Sequence, residues 1–283
     1  MRLQRKRSLN RGIELMVIDF HTHIFPDRIA KKTIEFLEQE GNVKAATDGT
    51  LTGLLGSMRK NGIDISIVMP VVTKPEQFAT VNAYAAEING KDGILSFGGI
   101  HPDTQDYQKS LDTIKELGLP GIKLHPDYQK TFVDDPKLVR IIDYASELGL
   151  IVLLHAGMDI GLPDPIHCTP QRTVRMLEQL DRPEAKLVFA HTGGYELWDE
   201  VEEYLVGRSI WFDISFSLGR IPEDQLLRIV QNHGADRILF ASDSPWDGQG
   251  VTLERFLRLG LPDEEAECIL YRNALHLLAL EHT

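Results

Sequence analysis

Near its beginning the chain reads MVIDFHTHI over residues 16–24. This short run is mostly apolar rather than alternating, which is typical of a parallel strand buried on both faces. Seven similar runs follow; they are ISIVMPV (65–71), ILSFGGIHP (94–102), GIKLHP (121–126), LIVLLHAG (150–157), KLVFAHTGG (186–194), SIWFDIS (209–215) and RILFASDSP (237–245). The sequence therefore predicts eight parallel strands.

The segments between these runs have the periodicity of amphipathic helices. Residues 104–118 place apolar side chains three and four positions apart, and residues 136–149 and 222–234 each begin with proline and end with glycine. Proline at the first helical position and glycine just past the end are the expected helix boundaries. A final helix is predicted from Pro262 to about Leu280.

Alternating strands and helices predict a parallel sheet with helical crossovers. Eight such units predict a closed (β/α)8 TIM barrel of the α/β class, with an open doubly wound sheet as the alternative. We expect a single barrel domain over residues 16–283. The longest interval between strand ends, from His23 to Pro70, leaves room for an extra segment around residues 37–57 that covers the barrel mouth.

Composition narrows the class of protein further. The chain has 283 residues, with 30 Lys or Arg, 42 Asp or Glu and a net charge of −12. This balance argues against a nucleic-acid-binding protein, because most of the surface would repel phosphates. The two cysteines indicate no disulfide framework and favour a cytoplasmic location, and no apolar run is long enough to indicate a membrane span. Residues 1–15 are rich in basic side chains and are expected to be a disordered or non-native extension before a natural start at Met16.

Most of the predicted strands end in a side chain that can bind a metal ion or carry a proton; these are His21, His23, His101, His125, His155, His191 and Asp243. Barrel enzymes build their active sites at the C-terminal ends of the strands. Side chains two apart on a strand point to the same face, so His21 and His23 are expected to share one ion. Imidazole and carboxylate are good ligands for zinc and similar divalent metals. This placement predicts a metal-dependent active site at the barrel mouth.

Several polar residues in the same runs have more than one interpretation. His101 and His125 are as consistent with a turn or a structural role as with a functional site. Lys123 either bridges two metals after carbamylation, contacts an anionic substrate, or points outward between helices. Asp19 is a hydrogen-bond acceptor behind the ligands or a residue of the layer below, and Asp213 is expected to be a cap or a substrate contact.

The expected exposure or contacts of several other residues follow from whether they lie in a loop, in a helix or next to a strand end. The histidines in loops and helices are expected to be solvated; they are His167, His233, His276 and His282. Trp246 follows the last strand and is expected to pack against the rim or to stack on a substrate ring. The segment between the first two strands and the pair Met158-Asp159 are further candidates for lining the mouth.

Five motifs together resemble the amidohydrolase superfamily, and more narrowly the amidohydrolase-related branch that contains aminocarboxymuconate-semialdehyde decarboxylase. They are DFHTHIFP (19–26), GIKLHPDYQ (121–129), LLHAG (153–157), FAHTGG (189–194) and FASDSPW (240–246). The motifs run from the first strand to the last, so the resemblance covers nearly the whole chain. As a set they are specific for the superfamily and poorly specific for the reaction.

The resemblance implies a distorted TIM barrel with one or two divalent metals at its mouth. It assigns the ligand role to His21, His23, His155 and Asp243. It also implies that His191 either binds a second metal or, with one metal, orients the attacking water or polarises the substrate. Zinc is the expected metal, with manganese and iron as alternatives. A homodimer is a further expectation of the resemblance.

The chemistry that follows is hydrolysis of an ester, lactone or amide in a small, carboxylated molecule. Asp243 is expected to accept a proton from water and pass it to the leaving group, with His191 assisting. His125, Lys123 and Trp246 are the predicted substrate contacts. Non-oxidative decarboxylation of a small carboxylic acid is the first alternative. A phosphodiesterase, which the acidic charge disfavours, and a metal-containing barrel that binds ligands without catalysis are the others.

Overall fold

The parallel strands of the fold are short and follow the predicted order. A computed structural model describes residues 16–182 and 184–280, so the expected extension over residues 1–15 and His282 lie outside the described residues. The strands are β1 Ile18–Thr22, β2 Ile65–Val68, β3 Ile94–Ser96, β4 Gly98–Gly99, β5 Gly121–Leu124, β6 Ile151–Leu154, β7 Leu187–Phe189, β8 Trp211–Asp213 and β9 Ile238–Leu239. Each falls inside one of the eight predicted runs, and β3 and β4 are two pieces of the third barrel strand.

The strands close into a barrel. Parallel pairing joins β1, β2 and β3 in one sheet and β4 through β9 in a second, and only Phe97 separates β3 from β4. At the other seam the Phe20 amide donates to the Phe240 carbonyl at 2.9 Å, and the Asp243 amide donates to the His21 carbonyl at 2.8 Å. These bonds tie the first strand to the last, and the predicted TIM barrel is confirmed.

Helices alternate with the strands and surround the barrel. They are α1 Asp27–Glu40, α2 Leu51–Asn61, α3 Phe78–Ile88, α4 Tyr107–Glu116, α5 Pro136–Glu147, α6 Pro170–Gln179, α7 Trp198–Tyr204, α8 Glu223–His233, α9 Gln249–Arg258, α10 Asp263–Glu267 and α11 Asn273–Leu278, with a π-helical turn over Cys268–Arg272 joining the last two. Helix α5 begins at Pro136 as predicted, whereas α8 begins one residue after Pro222. Among the described helices, none is long and apolar enough to cross a bilayer.

The predicted extra segment, around residues 37–57, contains the end of α1, the loop that follows it and the first half of α2. This loop approaches the barrel mouth, since the Ala46 amide donates to the Pro245 carbonyl at 2.7 Å and the Phe25 amide donates to the Gly49 carbonyl at 2.7 Å. Pro245 lies just beyond the end of the last strand, two residues after Asp243. The segment therefore lies beside the predicted site.

His233 is buried, so the expectation that it is solvated was wrong. Its Nδ1 accepts a hydrogen bond from the Gly207 amide at 3.1 Å, and its Nε2 lies 3.0 Å from the Ile210 carbonyl oxygen. The ring also stacks on Phe212 with centroids 4.1 Å apart. These contacts suit a neutral imidazole, and burial lowers the pKa of His233 to about 4. The helical periodicity alone did not reveal this, because the contacts come from the loop after α7 and from β8.

Acidification is expected to destabilise the fold through His233. Below the ordinary histidine pKa of about 6.5, His233 is protonated in the unfolded chain, whereas in the folded chain it stays neutral until about pH 4. The folded state therefore loses stability as the pH falls through this window. Between pH 7 and pH 5 the loss from this residue is on the order of 1–2 kcal/mol. Urea unfolding of the wild type and of His233→Gln at both pH values measures it. Equal pH dependence in the two proteins would show that His233 does not contribute.

Candidate metal centre

Three predicted ligands converge at the C-terminal mouth of the barrel. His21 and His23 come from β1 and its end, and Asp243 follows β9. The two Nε2 atoms are 3.1 Å apart, and the Asp243 Oδ1 lies 3.5 Å from the Nε2 of His21 and 3.3 Å from that of His23. Ligands 2.1 Å from a tetrahedral ion are about 3.4 Å apart, and those of an octahedral ion about 3.0 Å. The spacing of these atoms therefore fits a bound ion.

The hydrogen bonds behind the two histidines leave their Nε2 atoms free to bind metal. The Nδ1 of His23 lies 2.8 Å from the Met69 carbonyl oxygen, which only accepts, so this nitrogen carries the proton. The Nδ1 of His21 lies 2.9 Å from Oδ2 of Asp213 and donates in the same way. Both Nε2 lone pairs then face each other and a carboxylate oxygen, an arrangement that a cation stabilises. A carboxylate or carbonyl behind each ligating imidazole is the usual support of such sites.

Asp213 is the buried anchor of this arrangement rather than a cap. Its Oδ1 accepts hydrogen bonds from the amides of His191 at 3.1 Å and Ser215 at 3.0 Å, and also from the Ser215 hydroxyl. Its Oδ2 holds His21. One carboxylate thus fixes parts of three strands. Its position at the end of β8, level with the other strand-end residues, was the signal that could have revealed this role.

Lys123 points into the barrel, which excludes the outward orientation. It is fully buried, and its Nζ lies 3.2 Å from Nε2 of His21. Burial lowers the pKa of Lys123, and the neighbouring carboxylates, Asp213 first among them, partly oppose this effect. The net result is a pKa of about 8. The amine therefore reaches the same region as the three converging ligand atoms.

His191 and Asp243 both have the left-handed backbone conformation, with φ of 60° and 68°. Such residues persist only where the surroundings hold them, and they cluster at functional sites. Here the Trp198 indole donates to the His191 carbonyl at 3.1 Å, and the Trp246 amide donates to the Asp243 carbonyl at 2.8 Å. Burial acts to raise the pKa of Asp243, but the hydrogen bond of His23 and the neighbouring histidines outweigh it, so this pKa is lowered. Asp243 is then ionised at neutral pH.

His155 lies next to this cluster without belonging to its three converging atoms. Its Nδ1 is 3.0 Å from Nε2 of His191, whose ring stacks on that of His21 with centroids 5.6 Å apart. The Nδ1 side of His155 therefore faces the cluster. Its role as a ligand stays a prediction.

A second group contains His125, His155 and Asp159, with ligand atoms all within 4.8 Å of one another. The rings of His125 and His155 stack almost in parallel, with centroids 4.1 Å apart and planes 7° apart. An imidazole lone pair lies in the plane of its ring, so two parallel stacked rings cannot both direct a lone pair at one ion between them. Nε2 of His125 lies 3.4 Å from Oδ2 of Asp159, and burial lowers the pKa of His125 well below its ordinary value, so this contact is one of a neutral imidazole with a carboxylate. In this geometry the two stacked imidazoles and Asp159 form a wall beside the three converging ligand atoms.

The remaining candidate residues lie outside the three converging ligand atoms, and most of them form contacts within the fold. His101 forms a turn, in which the Asp103 amide donates to its Nδ1 at 3.1 Å. Trp246 is half-buried and packs against the core, so its role in substrate binding stays a prediction. His167 was expected to be solvated, but its Nδ1 lies 3.0 Å from Oδ1 of Asp127 and its ring stacks on Phe132. His276 is exposed, as expected.

A closed TIM barrel that gathers imidazole and carboxylate side chains at its C-terminal mouth has the architecture of the metal-dependent barrel enzymes. A model of the amidohydrolase family matches residues 18–280, and the chain belongs to that family. The wider superfamily depends on divalent metals. Among curated proteins, none matches this chain in sequence.

Solved structures with the same fold include enzymes of different reactions. An uncharacterised TIM-barrel protein from Bordetella bronchiseptica has 20% identity and a TM-score of 0.76, over 94% of this chain and 99% of that one. A dihydroxybenzoic acid decarboxylase from Polaromonas, with bound manganese and the inhibitor 2-nitroresorcinol, has 15% identity and a TM-score of 0.70, over 95% and 98%. A protein from Pseudomonas putida assigned as a 2-pyrone-4,6-dicarboxylic acid hydrolase has 20% identity and a TM-score of 0.65, over 96% and 100%. At these identities the likeness shows the shared fold.

Proposed function

We propose that this protein is a metal-dependent hydrolase of a small, carboxylated ester, lactone or amide. The observation that supports it most is the convergence of two Nε2 lone pairs and one carboxylate oxygen, spaced 3.1–3.5 Å apart at the mouth. A divalent ion held by His21, His23 and Asp243, with His155 as a further ligand, supplies Lewis-acid polarisation of a substrate oxygen or of water. Zinc fits this donor set, and the same donor set can also bind manganese.

The chain's own groups provide the proton transfers. Asp243 is ionised at neutral pH, so its carboxylate accepts a proton from the attacking water and returns it to the leaving atom. Asp243 has a left-handed backbone conformation, and its carboxylate lies beside the Nε2 atoms of His21 and His23. His191 directs its Nδ1 at the Ser215 carbonyl oxygen, 3.0 Å away, so its Nε2 lies on the side of the cluster, 3.0 Å from Nδ1 of His155. Once His155 binds the ion, this Nε2 would be available to orient the reacting atoms.

Lys123 provides the cation that binds the substrate carboxylate. The ammonium group is the only Lys or Arg side chain among the described residues that is fully buried. A buried ammonium needs partners; its direct contact in this structure is the neutral imidazole of His21, and the carboxylates of Asp213, Asp243 and Asp159 act on it from farther away. A substrate carboxylate would complete this pairing.

Replacing Lys123 by methionine is expected to weaken substrate binding. We expect Lys123→Met to raise KM tenfold or more with a smaller change in kcat, because the lost ion pair contributes to substrate binding before the chemical step. Its metal content should equal that of the wild type. Lys137→Met is the control, since Lys137 is half-exposed and pairs with Asp103. A fall in metal stoichiometry from two to one would instead assign Lys123 to a bridge between metals.

Decarboxylation of a small carboxylic acid is the second candidate, supported by the manganese-bound decarboxylase with the same fold. Here the same ion would hold the substrate carboxylate while the bond between this carboxylate and the ring or chain carbon breaks to release carbon dioxide. Asp243 would take a proton from water and pass it to that carbon. Incubation of the metal-loaded protein with lactones, aryl amides and hydroxybenzoates, followed by mass spectrometry, separates the two. Hydrolysis adds one water to the substrate, and decarboxylation releases carbon dioxide. Catalysis that persists after the metal is removed by a chelator would contradict both.

A further inference from the structure

Two buried polar atoms beside the metal cluster have no hydrogen-bond partner in the described structure. They are Oδ2 of Asp127 and Nε2 of His155, which lie 3.9 Å apart. The two residues are 2% and 6% exposed. Buried polar atoms in native proteins are almost always paired, so an unpaired couple facing each other calls for a physical reason.

The proton positions explain why these two atoms do not pair. Nδ1 of His191 lies 3.0 Å from the Ser215 carbonyl oxygen, which only accepts, so His191 carries its proton there and has a lone pair on Nε2. That lone pair accepts the Nδ1 proton of His155 at 3.0 Å. His155 is then left with a lone pair on Nε2, opposite a carboxylate oxygen. Two acceptors face each other, and neither can donate.

The other tautomer of His155 satisfies both atoms. If Nδ1 of His155 gives its lone pair to a metal ion, its proton leaves and one proton is taken up at Nε2, so the ring stays neutral. Nε2 then donates to Oδ2 of Asp127. The Nδ1 side of the ring already faces the cluster through His191, and the Nε2 side already faces Asp127.

We propose that Asp127 is a positioning residue that selects the metal-binding tautomer of His155, an inference that rests on the metal site of the proposed function. In the metal-loaded protein Asp127 accepts the Nε2 proton of His155 and keeps its Nδ1 directed at the ion. A carboxylate behind a ligating imidazole fixes the tautomer and raises the basicity of the ligand. Asp127 thus serves His155 as Asp213 serves His21.

Asp127 is held in place independently of His155. Its Oδ1 accepts hydrogen bonds from the amide of His167 at 3.1 Å and from Nδ1 of the same residue at 3.0 Å. The ring of His155 is held by its parallel stack on His125. Both partners are therefore positioned before a metal binds, and only the proton and about 1 Å of separation need to change for a normal hydrogen bond to form.

The test combines metal affinity with direct observation of the protons. We expect Asp127→Asn to weaken zinc binding roughly 10- to 100-fold by competition titration, with an unchanged circular dichroism spectrum. Asp159→Asn is the matched control, because Asp159 contacts His125 rather than either nitrogen of His155. In ¹⁵N-histidine NMR of the wild type, the His155 proton is expected on Nδ1 without metal and on Nε2 with zinc.

The NMR measurement needs no variant, so it decides the inference even if Asp127→Asn fails to fold. Zinc binding with the His155 proton still on Nδ1, or unchanged zinc affinity in a folded Asp127→Asn protein, would overturn the role of Asp127 and leave the proposed function standing. A wild-type protein that binds neither zinc nor manganese would overturn both.

Discussion

His23→Ala will lose the divalent metal that the wild-type protein carries. The wild type is expected to contain at least one equivalent of zinc, manganese or iron after purification without added metal. In the variant, one of the two facing Nε2 atoms is gone, and the ligands that remain are His21, Asp243 and the more distant His155, so the ion is held much more weakly. First-sphere ligands contribute more than the supporting residues, whose loss alone costs about 10–100-fold in affinity. Elemental analysis of the purified protein measures the result.

The matched control is His101→Ala. His101 is also a buried histidine at the end of a barrel strand, but its Nδ1 accepts from the Asp103 amide in a turn and lies outside the converging atoms. This variant should keep its metal. Equal metal contents in His23→Ala and the wild type would contradict the proposed centre, and so would a wild type that takes up no zinc or manganese when either is added.

Asp243→Asn is expected to reduce kcat by about 10³-fold or more at saturating metal, with little change in thermal stability. Asparagine keeps an oxygen that can bind the ion, but it cannot accept a proton at neutral pH. General acid–base catalysis alone contributes about 10²–10⁴-fold, and the change in ligand charge adds to this loss. The low pKa of Asp243 in the wild type also predicts that activity falls only when the pH drops into the acidic range.

Kinetics of the substrate identified by the mass-spectrometric panel measure this effect across a range of metal concentrations. The control is Asp103→Asn, since Asp103 lies near the rim and pairs with Lys137 at a half-exposed site. It should retain wild-type turnover. If Asp243→Asn retained full turnover once its metal site was saturated, another group would have to carry the proton.

The barrel could be predicted because its signals are local. Each strand is a short apolar run that ends at a polar residue, and helices such as α5 begin at a proline and end near a glycine. The strand-end positions of His21, His23 and Asp243 followed from the same runs. Their convergence followed from the general rule that parallel strands in a barrel present their C-terminal ends at one mouth.

Residues whose roles depend on side-chain partners could not be placed in this way. Asp213 was expected to be a cap or a substrate contact, and it holds the side chain of His21 and the backbone amide of His191. His233 was expected to be solvated, and it is buried against Phe212. In both cases the deciding contacts come from residues 20 or more positions away, which no local periodicity records.

The sequence by itself determined the order of strands and crossovers, the closed barrel, and the set of imidazole and carboxylate groups at its mouth. Apolar periodicity and helix boundaries act over a few residues, so they can be read along the chain. Only the tertiary structure decided which nitrogen of His21 and of His23 faces the converging ligand atoms. That choice depends on acceptors brought in from other strands, namely the Met69 carbonyl behind His23 and the Asp213 carboxylate behind His21. A proton goes to the nitrogen that has an acceptor, and the lone pair is left on the other nitrogen.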